Sequence, residues 1–103
     1  GKVSLVVGSH THIPTADAQI LPNGTAYLTD AGMCGCFDSV IGMDKKEPVN
    51  RFVTGLRNDK FQPVKGDATV CGVLIDTNDQ TGLAEKIYMI RYGGRLQESL
   101  PPL

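Results

Sequence analysis

The sequence predicts an α+β or α/β sandwich fragment, mainly antiparallel strands in two hairpins, with one buried first strand and one amphipathic helix. Three observations carry this prediction. Val3-Ser4-Leu5-Val6-Val7 is a nearly continuous apolar run of strand length, the pattern of a strand covered on both faces. Two pairs of β-prone runs are each joined by turn residues. A single segment, Lys46 to Leu56, places its apolar residues at helical spacing.

The elements follow in order. After the first strand, Val3 to Val7, come Thr15–Leu21 and Thr25–Thr29, separated by Pro22-Asn23-Gly24, a strong hairpin signal. Asp30 to Asp38 is a small-residue stretch with two glycines, so it is either a tight surface crossing or a wall of a site. In the helix, Val49, Phe52, Val53 and Leu56 fall at i, i+3, i+4 and i+7 and form one stripe. Asp44 and Glu47 have capping-box spacing, Pro48 sits in the first turn, and Gly55 with Arg57-Asn58-Asp59 ends the helix. The second hairpin is Thr69–Asp76 and Leu83–Tyr92, closed by Thr77 to Gly82.

Both strands of that hairpin are apolar on both faces. Val70 and Leu74 oppose Cys71, Val73 and Ile75; Leu83, Ile87 and Met89 oppose Tyr88, Ile90 and Tyr92. One short helix cannot cover both sides. The chain therefore reads as a piece of a larger sandwich, or as one partner of an intimate oligomer. The face expected to be covered by a second copy holds Val73, Ile75, Tyr88 and Ile90, or lies opposite it. Residues 1–96 are the domain portion and 97–103 a tail, with order from Gly93 onward depending on docking.

Composition narrows the class. The chain has 103 residues, 41% of them hydrophobic and 20% charged, with a net charge of −1, which suits a folded protein and not a disordered one. Lys and Arg are dispersed, so no basic surface for nucleic acid or anionic lipid is indicated. No apolar stretch approaches the ~20 residues of a membrane span, and no signal-peptide pattern is present. Cys34, Cys36 and Cys71 are odd in number and lack framework spacing, which points to reduced thiols in a cytoplasmic protein.

Function is carried by Gly8-Ser9-His10-Thr11-His12, which contains both histidines of the chain. In extended backbone, residues i and i+2 point to one side with Cα atoms roughly 6.5–7 Å apart, so an H-x-H pair can aim two imidazoles into one pocket. Such a pair can chelate one ion or serve two ions held roughly 3.5–4 Å apart. A solvated loop that happens to hold two histidines is the plain alternative, and Gly8, which permits close backbone approach, tilts the balance towards a site. Gly8, Thr11 and Asp30 are candidate pocket residues. Asp17 and Asp38 could also add carboxylates, although aspartates beside glycine and serine more often form turns. Cys34 and Cys36 could join the histidines in a Cys₂His₂ zinc site, but C-x-C is tighter than the usual spacing. No catalytic side chain is assigned.

Gly8 to His12, Thr29-Asp30-Ala31-Gly32-Met33-Cys34-Gly35, Asp38-Ser39-Val40-Ile41-Gly42-Met43, Arg51 to Leu56 and Gly72 to Asp76 together resemble one family. They are similar to the C-terminal part of the calcineurin-like metallophosphoesterases, in the YmdB-type branch of bacterial cyclic-nucleotide phosphodiesterases. The likeness runs from Val3 to Leu96. It implies part of a four-layer metallophosphoesterase sandwich and a binuclear centre of two divalent metal ions, iron or manganese first and zinc next. It also implies His10 on one metal, His12 on the other, and a small-molecule phosphodiester substrate, with 2′,3′-cyclic nucleotides the expected class. The family's remaining ligands, and its acid or base, are expected upstream in a missing N-terminal half, so this chain alone should be inactive or nearly so. Cys36 departs from the pattern, since relatives more often carry proline there. The alternative is a non-catalytic metal-binding or oligomerising β-rich module; a homo-oligomer is expected in either case.

Overall fold

Both hairpins form, and a parallel pairing joins the first strand to one of them. The computed structural model describes residues 1–102 as β1 (Leu5–Val7), β2 (Gln19–Ile20), β3 (Ala26–Leu28), α1 (Lys46–Thr54), β4 (Val70–Thr77) and β5 (Ala84–Tyr92). Leu103, the last residue of the expected tail, lies outside the described residues. β3 is central in a three-stranded sheet, parallel to β1 with Leu5 opposite Ala26, and antiparallel to β2 with Ile20 opposite Ala26. In the turn between β2 and β3, the Gly24 N–H donates to the Leu21 carbonyl at 3.0 Å. β4 and β5 form a separate antiparallel pair with a bulge at Asp76/Thr77. The Ala84 N–H donates to the Gly24 carbonyl at 2.7 Å and ties the second hairpin to the first.

The core sits where these pieces meet. Ala26 and Leu28 on β3 are fully buried, joined by Cys36, Cys71 and Ala84, and it also contains the polar Thr25, Asp30 and Thr69. Thr69 donates its hydroxyl to the Gly93 carbonyl at 2.9 Å, so its burial leaves no unmet hydrogen bond there.

The first strand is not buried. Val3, Val6 and Val7 are exposed, because β1 is an edge strand paired on one side only and no described layer closes over it. An unbroken apolar run signals two covering layers, and the described residues provide neither. The helix forms two residues shorter than expected, ending where Gly55 turns left-handed at φ +71°, but its stripe faces outward. Phe52 is 93% exposed and Leu56 71%, while the one buried residue of α1 is Glu47. Periodicity identifies a helix without saying which side meets protein.

Glu47 is held by its own neighbourhood. Arg51 Nε donates to it at 2.5 Å, Asn50 Nδ2 at 3.2 Å, and the amides of Asn58 and Asp59 at 3.3 and 3.1 Å. The Arg51 guanidinium, before the backbone amides, keeps this carboxyl below its ordinary range. Arg51 also stacks 3.9 Å over the Phe61 ring. Asp44 does not complete a capping box; it accepts from the Lys46 N–H at 3.0 Å instead.

Register redistributes the faces of the second hairpin. Val73 pairs with Met89, Leu74 with Tyr88 and Ile75 with Ile87, and directly opposed residues share a face. Val73 and Ile75 therefore lie with Ile87 and Met89, whereas Tyr88 and Ile90 lie on the other side with Leu74. All of these side chains are only half-buried. The tail folds back along β5: Arg91 and Ser99 exchange backbone bonds of 2.8 and 2.9 Å, and Ser99 Oγ donates to the Met89 carbonyl at 3.1 Å. No described helix is long and apolar enough to cross a membrane.

This burial pattern sets an expectation for stability. Leu28→Ala should cost about 2–5 kcal/mol by opening a cavity in the small core. Phe52→Ser should stay within about 0.5 kcal/mol, since its ring touches mostly solvent. Urea unfolding of the full chain reads both; equal losses would mean that the helix stripe is covered in solution.

Candidate metal centre

The chain leaves β1 at Gly8, where the backbone is pressed against the end of β3. The Gly8 N–H donates to the Leu28 carbonyl at 3.1 Å and the Ala31 N–H to the Gly8 carbonyl at 2.9 Å. A side chain at Gly8 would collide with the Thr29 carbonyl oxygen, so glycine is required for this close approach. Beyond it the chain bends. His12 sits in the left-handed region at φ +73°, so the two histidines are not presented by the extended backbone that the i, i+2 argument assumes.

What shapes the bend is Asp30. It is 1% exposed, and both oxygens are taken by the backbone of the site. Oδ2 accepts from the His10 N–H at 2.9 Å, the Thr11 N–H at 2.5 Å and the Thr11 hydroxyl at 2.8 Å, while Oδ1 accepts from the Gly32 N–H at 2.8 Å. The Gly32 amide above all, then those of Thr11 and His10 and the Thr11 hydroxyl, keep this carboxyl far below the usual carboxylate range. Asp30 thus anchors the histidine loop through these bonds. Thr11 is engaged likewise, its hydroxyl shared between Asp30 and the Ile13 carbonyl at 3.0 Å. Gly8, Thr11 and Asp30, expected to line a pocket, form the frame that holds the histidines.

The histidine rings differ. His10 is exposed, and among the described residues its ring has no hydrogen-bond partner. His12 is half-buried; its carbonyl accepts from the Met33 N–H at 2.9 Å and its Nδ1 lies 2.7 Å from the Ile41 carbonyl oxygen. Ile41 entered the sequence reading only within the stretch Asp38 to Met43 and not as a site residue; the glycine that follows it is the local signal of a turn. From the glycine-rich stretch Asp30 to Asp38, Asp30 and Met33 bond the histidine loop.

The other candidates are engaged elsewhere. Asp17 accepts from the Thr15 hydroxyl at 2.6 Å and the Thr29 N–H at 3.2 Å, and Asp38 pairs with Lys45 at 2.6 Å and Arg95 at 3.6 Å. All three cysteines are free; Cys34 Sγ donates to the Cys71 carbonyl at 3.4 Å, and burial pushes the Cys71 thiol up. Among the described residues no three His, Cys, Asp or Glu side chains gather into a metal-holding group, so the Cys₂His₂ arrangement does not form. A cavity of about 480 Å³ lies beside α1, lined by Lys46, Glu47, Asn50, Asn58 and Lys60 among others, and none of the loop residues borders it. Two imidazoles of this kind fit a divalent metal as two members of a larger ligand set.

Comparison with known proteins matches residues 1–90 to a family model described as YmdB-like protein. The chain is 50% identical over 90 residues to a 2′,3′-cyclic-nucleotide 2′-phosphodiesterase of Bacillus subtilis (strain 168), covering 87% of this chain and 34% of that protein. Among solved structures, a novel phosphatase from Mycoplasma pneumoniae superposes with a TM-score of 0.82 at 39% identity, over 88% of this chain and 32% of that one. A hypothetical protein from Thermus thermophilus gives 0.79 at 36% identity, over 89% and 35%. The chain spans about a third of the length of the curated relatives it matches.

Asp30 gives stability a defined pH dependence. Its folded value lies below the ordinary 3.8, so ionisation favours the fold: the contribution is complete above that ordinary value and is lost as pH falls through the folded one. Thermal melts from pH 6 down to about pH 2 should show this acid limb in the wild type and a flatter one in Asp30→Asn. Identical limbs would mean that Asp30 is not the anchor.

Proposed function

The chain belongs to the YmdB-like protein family, and from that premise we propose that it supplies two histidine ligands to a metal-dependent phosphodiesterase acting on 2′,3′-cyclic nucleotides. The observation that carries the reading is the His10-Thr11-His12 loop, bound to a buried aspartate. Bound divalent ions, iron or manganese first and zinc next, would supply an activated water and neutralise charge developing at phosphorus. His10 would serve one ion and His12 the other. The remaining ligands, and the acid or base, would come from sequence outside these residues, within a four-layer sandwich.

This chain's residues do the positioning. Asp30 directs its charge into the His10 and Thr11 amides, which fixes the loop at the first ligand, and the Met33 N–H holds the carbonyl of the second. Gly8 lets that loop leave β1 directly against β3. The free cysteines support a cytoplasmic setting. The exposed side chains of β1, α1 and the second hairpin support packing against further protein, a homo-oligomer among the options.

Assayed with bis-p-nitrophenyl phosphate and manganese, the 103-residue chain should turn over very weakly or not at all. In a protein carrying the whole ligand set, His10→Ala and His12→Ala should each lose metal and cut activity by about 100-fold or more, because losing a first ligand should do at least the damage of losing an outer partner. Cys36→Ser should leave both intact. Full metal content in His10→Ala, measured by elemental analysis, would overturn the ligand assignment.

Sedimentation of the chain at high concentration should show a dimer or larger assembly, since isolated domains rarely leave so much apolar surface wet. A well-behaved monomer that unfolds cooperatively would remove the oligomer from the proposal.

A further inference from the structure

We propose that the Ser39–Met43 turn is a positioning element for His12, its Ile41 carbonyl holding the imidazole in the Nδ1–H tautomer and leaving Nε2 as the atom presented to metal. The inference rests on the ligand reading above only for the word metal; the tautomer follows from the structure alone. A carbonyl oxygen only accepts. Because Nδ1 lies 2.7 Å from the Ile41 oxygen, Nδ1 carries a proton, and in the uncharged ring the lone pair is then on Nε2.

The turn is built to deliver that oxygen. Ile41 and Gly42 both have positive φ, 45° and 95°, and Val40 and Met43 exchange backbone bonds of 2.9 Å on either side, so these residues form a tight two-residue hairpin turn. A β-branched residue with positive φ is a genuine outlier, and such conformations persist where surrounding structure over-determines them. Here the determinants are visible. Ser39 Oγ accepts from the Gly42 N–H at 2.9 Å and donates to the Cys36 carbonyl at 2.7 Å. The Val64 N–H donates to the Gly42 carbonyl at 2.9 Å and the Asp44 N–H to the Gln62 carbonyl at 2.7 Å, pinning the turn from its far side.

Met33 completes the clamp. Its N–H holds the His12 carbonyl at 2.9 Å, and its sulfur packs under the turn, 3.2 Å from where a side chain at Gly42 would begin. One residue thus grips the His12 backbone while supporting the turn that grips the ring. His10 has no such ring partner among the described residues, so the two ligands differ in how far they are preset.

Long-range ¹H–¹⁵N spectra of the full chain at about pH 8.5, where an imidazole is uncharged, read the tautomers without any metal. His12 should show a single Nδ1–H tautomer and His10 an averaged signal. Gly42→Val, which cannot keep this turn, should average the His12 signal, leave His10 unchanged and weaken zinc binding by about 10–100-fold in a protein carrying the whole ligand set. Ile41→Asn keeps the carbonyl and tolerates positive φ, so it should preserve the wild-type signal. An Nε2–H tautomer at His12 in the wild type, or one untouched by Gly42→Val, would overturn the assignment; should Gly42→Val not fold, the wild-type and Ile41→Asn spectra still decide it. If the tautomer is as assigned but added zinc leaves the His12 Nε2 resonance unmoved in that larger protein, the ligand reading fails while the positioning role stands.

Discussion

Everything local to the histidines depends on one buried charge. The Asp30 carboxylate takes three backbone N–H groups and one hydroxyl, all but the Gly32 N–H coming from His10 and Thr11 on the bend that carries the histidines. A buried anion is tolerable only when its lone pairs are met, and here they are met by the segment whose conformation matters. The same bonds supply donors to an acceptor and acceptors to a loop that has left its strand, so the bend needs no regular structure to be rigid. Gly8 makes the geometry possible by letting the loop's first residue lie against Thr29, next to Asp30 in sequence.

Beyond that anchor the molecule is unevenly finished. A compact centre around Ala26, Leu28, Cys71 and Ala84 coexists with β1, the helix stripe and the second hairpin, all with large apolar side chains facing outward or half-covered. The longest dimension is 56 Å against 26 and 17 Å for the others, so much of the chain lies close to its surface. Polar bonding compensates locally, as at Thr69 and Glu47, but it cannot bury the Val6, Phe52 or Leu56 side chains.

The sequence was legible wherever structure is decided by neighbours in the chain. Pro22-Asn23-Gly24 specified its turn, the spacing of Val49, Phe52, Val53 and Leu56 marked a helix, and two β-prone runs gave β4 and β5 within a residue of their bounds. It was illegible wherever distant parts decide. Burial of Val3 to Val7 depends on layers that the run itself cannot provide. The faces of the second hairpin depend on a register set across the loop and its bulge. At the site the H-x-H motif was readable, but the bend, the left-handed His12 and the Ile41 oxygen arise from contacts spanning 19 to 29 positions, for which no local pattern exists. Asp30 was noticed for its charge, and its role came from where the fold put its donors.

The inward-facing Glu47 has a consequence for how this protein can change. Its carboxylate binds the side chains of Asn50 and Arg51 and the main chain at Asn58 and Asp59, and Arg51 in turn covers Phe61. The helical arm is therefore knitted together from its polar side, by bonds that use none of the Val49, Phe52, Val53 or Leu56 side chains. Drift at those four positions leaves the arm's internal scaffold untouched. Surface chemistry there and the architecture beneath are separately inherited traits, so descendants can acquire new contacts on this arm while the histidine loop, built from other residues, goes on unaltered.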